Sequence, residues 1–170
     1  MATFVSRLYK NAMKAETEII KNYMEGDKPF NWYYGTYKEG NMEYKCVTEG
    51  HVLVAFGFDS FAIDKSVFGI HNKVLSDNAI SQMANRVDKS SFQTGKIIGS
   101  KVLHNDKKKY TYDVIQLDTG AEIMFNHKFM KYFVDDGSLV FKAFNDITPI
   151  KVYSGDIFLG FIMPIRDNTK

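Results

Sequence analysis

The chain has 170 residues, of which 45% are hydrophobic, 25% charged and 15% aromatic, with a formal net charge of +2. That is enough apolar material for one packed core and too little for two. The aromatic content argues against a disordered chain, the N-terminal residues show no short apolar core with a small-residue cleavage site and so do not support a secretory signal, and no run approaches the roughly 18 apolar residues of a membrane span; the single cysteine, Cys46, excludes an internal disulfide and suits a reducing compartment such as the cytoplasm.

In chain order, the first element is a helix over residues 3 to 24, because Phe4, Val5, Leu8, Ala12, Ala15, Ile19 and Tyr23 recur at three- and four-residue spacing. Gly26 and Pro29 stop it. From Trp32 the period changes. Two β-prone runs flank Glu39-Gly40-Asn41, a turn signal, and His51 to Phe58 reads as a third strand. Ser76 can cap a short helix with Ala79, Ile80, Met83 and Val87 on its apolar side. Residues 96 to 103 and 109 to 117 alternate as a hairpin whose tip holds the charge run Asp106-Lys107-Lys108-Lys109. Asn126 can cap a helix from Lys128 to Val134, ended by Asp135-Asp136-Gly137. Three short strands follow, Ser138 to Asn145, Ile150 to Tyr153 and Phe158 to Ile162. Only three prolines occur and no linker divides the chain, so the expectation is one domain, residues 1 to 170, of the α+β class.

The first helix carries its cations in one stripe. At about 100° per residue, Arg7, Lys10, Lys14 and Lys21 fall within roughly 60° of one another, nearly opposite the apolar side. Such a rod can lie on a sheet and present charge to a phosphate backbone. A solvated face would also use lysine, and the pattern alone leaves both readings open. Near residue 130, Phe125, Phe129 and Phe133 line one side while Lys128 and Lys131 face away. The four histidines, 51, 71, 104 and 127, show no metal-ligand spacing, and Cys46 has no cysteine partner. No phosphate-cradling glycine loop or nucleophile elbow is present. The expectation is a protein without metal, cofactor or catalytic turnover. The many aromatic side chains read first as filling for a β-core and second as platforms for exposed bases.

Two segments then stand out. Residues 47 to 55 read Val-Thr-Glu-Gly-His-Val-Leu-Val-Ala, and residues 159 to 166 read Leu-Gly-Phe-Ile-Met-Pro-Ile-Arg. They resemble the T-D-G-H-R-L-A strand and the terminal M-P-[MVI]-R motif of the bacterial DNA polymerase III β sliding clamp. Phe125-Asn126-His127-Lys128-Phe129-Met130 is similar to the start of a clamp helix, and Pro149-Ile150 to the opening of the penultimate clamp strand. Val52 stands where the family has arginine, and residues 59 to 122 align poorly, as an insertion would. The resemblance implies a clamp-like domain of antiparallel sheets with two or three helices packed on them. It implies a channel helix at the N-terminus and a groove for partner peptides at Thr48, Gly50, His51, Leu53, Met163, Pro164, Ile165 and Arg166. The family's subunits hold three such domains and this chain has room for one, so a ring would need several copies; the size suits a phage- or mobile-element-encoded relative.

The function implied is a non-enzymatic processivity factor that holds duplex DNA without reading its sequence and tethers a polymerase. The cations at positions 7, 10, 14, 21, 128 and 131 would face the DNA, and the working form would be a homo-oligomer away from membranes. A second function from another class is a regulator that binds a host clamp or other replication protein and inhibits synthesis. An unrelated α+β enzyme is the third, and no sequence motif points to it.

Overall fold

Helix α1 (Phe4–Met24) forms where the spacing predicts it, and Leu8, Ala12, Ala15 and Ile19 are its buried line. The two alanines on that line let the helix approach the strands beneath it closely. The computed structural model describes residues 4–24, 33–57, 92–105 and 108–165. After α1 come β1 (Tyr33–Glu39), β2 (Met42–Thr48), β3 (Val52–Gly57), β4 (Gln93–Asn105), β5 (Lys108–Leu117) and β6 (Glu122–Asn126). A 3-10 helix (His127–Tyr132) then precedes β7 (Leu139–Ala143), β8 (Ile150–Ser154) and β9 (Ile157–Ile162). The nine strands make one sheet in the order β1-β2-β3-β9-β8-β7-β4-β5-β6, and every pairing is antiparallel.

The middle of that order is a palindrome. β3 and β9 pair antiparallel, Val52 opposite Ile162 and Val54 opposite Gly160. Each is the last strand of a three-strand meander, one preceded by α1 and the other by the 3-10 helix. A local two-fold normal to the sheet therefore relates two helix-strand-strand-strand units. The turns that lead into β3 and β9 both carry a left-handed glycine, Gly50 (φ 102) and Gly155 (φ 60), a conformation that side chains with a Cβ rarely adopt. At the junction Gly160 is required for another reason: a Cβ there would lie 2.0 Å from the Leu53 carbonyl oxygen.

Both ends of the sheet curl back. Strands lie about 4.8 Å apart, so β1 and β8, four places apart, would be separated by roughly 19 Å in a flat sheet. Yet the Lys151 ammonium on β8 is 3.0 Å from the Glu39 carboxylate on β1, and the Tyr37 ring lies 4.8 Å from Phe161 and 5.2 Å from Phe158 on β9. At the other end, Ile165, just past β9, pairs with Met124 on β6. The core that results is aromatic: Phe56, Phe125, Phe133, Phe141, Phe158 and Phe161 are its largest fully buried side chains.

The expected architecture, a clamp-like α+β domain with two or three helices packed on antiparallel sheets, is corrected here. Among the described residues there is one continuous curled sheet, one α-helix and one short 3-10 helix. The reason is physical. A helix shorter than about 12 residues is marginal in water, and the segment expected to be helical from Lys128 to Val134 makes only the short 3-10 helix before Phe133 turns extended. Phe125, read as part of that helix, belongs to β6 instead. The sheet's own curl supplies cover that further helices would have given. The helix expected after Ser76 lies outside the described residues, as does most of the stretch read as an insertion, although its last part forms β4 and β5 of the sheet.

Candidate nucleic-acid interface

The two segments that carry the expected cations, α1 and the 3-10 helix, are tied to each other. Lys14 Nζ donates to the Lys131 carbonyl oxygen at 2.6 Å, and the two segments are tied further by the Val134 N–H, which donates to Asn11 Oδ1 at 2.8 Å. Arg7, Lys10 and Lys21 are exposed and Lys14 is half-buried. On the 3-10 helix, Asn126 caps the first turn by accepting from the Lys128 N–H at 3.0 Å. Lys128 is exposed with its ammonium 5.1 Å from the Phe129 ring centroid, and the half-buried Lys131 lies over Tyr132 at 5.2 Å. Hydrogen bonds from Ser138 hold the Asp136 carboxyl below the ordinary aspartate range, and the Lys10 charge adds to them. Arg7, Lys10, Lys21 and Lys128 are thus exposed, while Lys14 spends part of its donor capacity holding the two helices together.

The two motifs behind the expected groove also come together, though not all of their side chains reach a surface. In the β2–β3 turn Thr48 Oγ1 donates to the Val52 carbonyl at 2.7 Å and accepts from the Gly50 N–H at 3.0 Å. Glu49 Oε1 accepts the N–H groups of His51 and Val52 at 2.6 and 2.9 Å. His51 is presented outward, its ring stacked on Phe129 at 6.2 Å, and its carbonyl accepts the Met163 N–H at 2.8 Å. The tail then runs to β6, where the Ile165 N–H donates to the Met124 carbonyl at 2.8 Å. Thr48 and Leu53 are buried in the core, so neither lines an open groove. His51 and Gly50 are exposed, Met163, Pro164 and Ile165 are half-buried, and Arg166 lies outside the described residues. Because His51 rests on Phe129 and Lys128 lies over the same ring, this patch adjoins Lys128.

Two polar clusters have no counterpart in the sequence reading. Asp113, buried on β5, accepts from Ser100 Oγ at 2.8 Å and faces His127 Nδ1 at 2.8 Å. The carboxylate sits between hydroxyl and imidazole, so the histidine is not placed to activate the serine, as a nucleophilic relay requires. The second cluster surrounds Glu39, which accepts from the Tyr37 hydroxyl, from Lys151 at 3.0 and 3.2 Å, and from the Tyr153 hydroxyl at 3.0 Å. Burial alone would raise the Glu39 carboxyl, but the hydrogen bonds from Tyr37, Lys151 and Tyr153 and the Lys151 charge outweigh it and hold it below its usual value. Burial pushes the Tyr37 and Tyr153 phenols up, and the adjacent carboxylate adds to the effect. Register could have revealed neither cluster without knowing which strands pair. Burial also pushes the Cys46 thiol up, which leaves it unreactive. Among the described residues no three His, Cys, Asp or Glu side chains converge as metal ligands, and no helix is long and apolar enough to cross a membrane.

No family model, curated protein or solved structure matches the chain.

Proposed function

We propose that the protein is a non-enzymatic DNA-holding factor of the processivity type. It binds duplex DNA without reading sequence through the joined surface of α1 and the 3-10 helix, and engages a replication partner through the adjoining patch of His51, Met163, Pro164 and Ile165. The observation that supports this reading is the hydrogen bond from Lys14 to the Lys131 carbonyl oxygen, which ties together two basic segments more than a hundred residues apart in sequence. Cations gathered in this way suit a phosphate backbone, whose contacts position a protein without specifying sequence. The neighbouring apolar patch places a partner next to the held DNA.

The test is Lys10→Glu with Lys21→Glu, two exposed positions that take no part in tying the helices. Each phosphate that the protein no longer neutralises lowers the log–log salt slope by about 0.9, so duplex association should weaken and the slope shrink by about 2. Thermal stability should hold, because exposed lysines contribute little to folding. A variant that binds duplex with unchanged affinity and slope would overturn the reading and transfer the role to a protein partner.

A further inference from the structure

β4 and β5 continue past the sheet that holds their bases. β4 pairs with β7 only through Gln93, Thr94 and Gly95, and β5 pairs with β6 only from Tyr112 to Gln116. The two strands pair with each other as far as Asn105 and Lys108. From Lys96 to Asn105, β4 thus has β5 on one side and, among the described residues, no strand on the other. Edges that stay open in solution are usually short or well charged. This one is long, and although Lys96 and Lys101 lie on it, it exposes Ile97, Ile98, Val102 and Leu103 by 37, 52, 46 and 43%. The bulge between Ile97 and Gly99 leaves Ile98 without a partner on β5. A two-stranded ribbon is marginal in water and gains from a third strand.

The edge is also self-complementary. Ile97-Ile98 and Val102-Leu103 lie symmetrically about Ser100, and Lys96 and His104 flank them. An antiparallel approach of two such edges about a two-fold near Ser100 sets Ile97 and Ile98 of one copy beside Val102 and Leu103 of the other. Both apolar pairs are then covered at once, and open main-chain groups find partners, which is the economy of an isologous contact. We propose that β4 from Lys96 to Asn105 is the contact through which two copies of this chain associate, joining their sheets edge to edge. The inference does not rest on DNA binding, which the proposal above assigns to α1 and the 3-10 helix.

The experiment is light scattering over a concentration series, with wild type and Val102→Glu plus Leu103→Glu, and with circular dichroism to confirm that the variant is folded at the assay temperature. Wild type should show twice the mass of the chain, and the charged variant should dimerise at least about tenfold more weakly, since the charges would be desolvated at the contact. A third sample, Lys101→Cys treated with a short bis-maleimide, should yield a covalent dimer; Cys46 is buried and does not compete. Wild type that stays monomeric throughout, which would mean that the chain itself covers the edge or that some other partner does, overturns the proposal. So does a double variant that dimerises as wild type does. If the double variant is poorly folded, the cross-link decides: capture of a dimer supports the contact and its absence overturns it.

Discussion

The centre of the sheet and its arm use the same kinds of residue in opposite settings. β3, Val-Leu-Val-Ala-Phe-Gly, is buried at every position, as is β9, whereas four aliphatic residues of β4 stand exposed. Strand propensity does not separate them, since β-branched side chains fill both. Position does. β3 and β9 have strands on both sides and α1 across one face, while β4 leaves the sheet after Gly95 with β5 alone. The stability of this fold is thus concentrated at its centre, and the arm is available for contacts other than its own folding.

The largest break in that comparison should come from Phe161→Ala. The ring is fully buried and packs against Tyr37 and Phe158 at 4.8 and 5.2 Å, so its removal should cost about 3 to 5 kcal/mol in denaturant unfolding. Next comes the latch that holds the curled edge. Lys151→Met strands the Glu39 carboxylate; because that side chain keeps 20% of its surface in water, the cost should be about 2 to 3 kcal/mol, below that of a fully buried broken pair. The same network sets an acid dependence. Glu39 is held below its unfolded value, so its contribution is complete above the ordinary glutamate range, about 4.3, and is lost as pH falls through the lower folded-state value. A pH series of thermal melts should show wild type losing more stability on acidification than Glu39→Gln, and parallel curves would exclude the network as the cause. The finest test sets one glycine against another. Gly160→Ala places a methyl against the Leu53 carbonyl and should cost about 1 to 3 kcal/mol. Gly99→Ala meets nothing within 4 Å and should fall within about 0.5 kcal/mol of wild type. Equal effects would dissolve the distinction between centre and arm.

Much of the local structure was legible. The apolar spacing of Leu8, Ala12, Ala15 and Ile19 located α1, alternation located the β4–β5 hairpin, and Asn126 was readable as a cap. β6 was not, because Glu122 to Asn126 is five residues long and abuts the cap, so its phenylalanine was absorbed into the expected helix. The palindrome was invisible for a different reason: the two units share a topology and a turn glycine but little else, and pairing of β3 with β9 is a long-range choice. Of the expected surfaces, the cations were readable from helical projection, yet the part of Lys14 as a tie was not, since its acceptor is a main-chain oxygen far along the chain. The groove expected at Leu53 and Thr48 rests on a linear motif, which carries no information about which face of a strand the fold covers, and both residues are buried.

The place of β9 between β3 and β8 has a consequence for how the protein comes into being. β3 is finished about a hundred residues before β9 is made, which at ordinary translation speeds is roughly 5 to 20 s. Throughout that interval the first meander has an apolar border with no native neighbour. The sheet's centre therefore closes only once β9 has been made, and the protein's yield should track the pace of synthesis more closely than its final stability does.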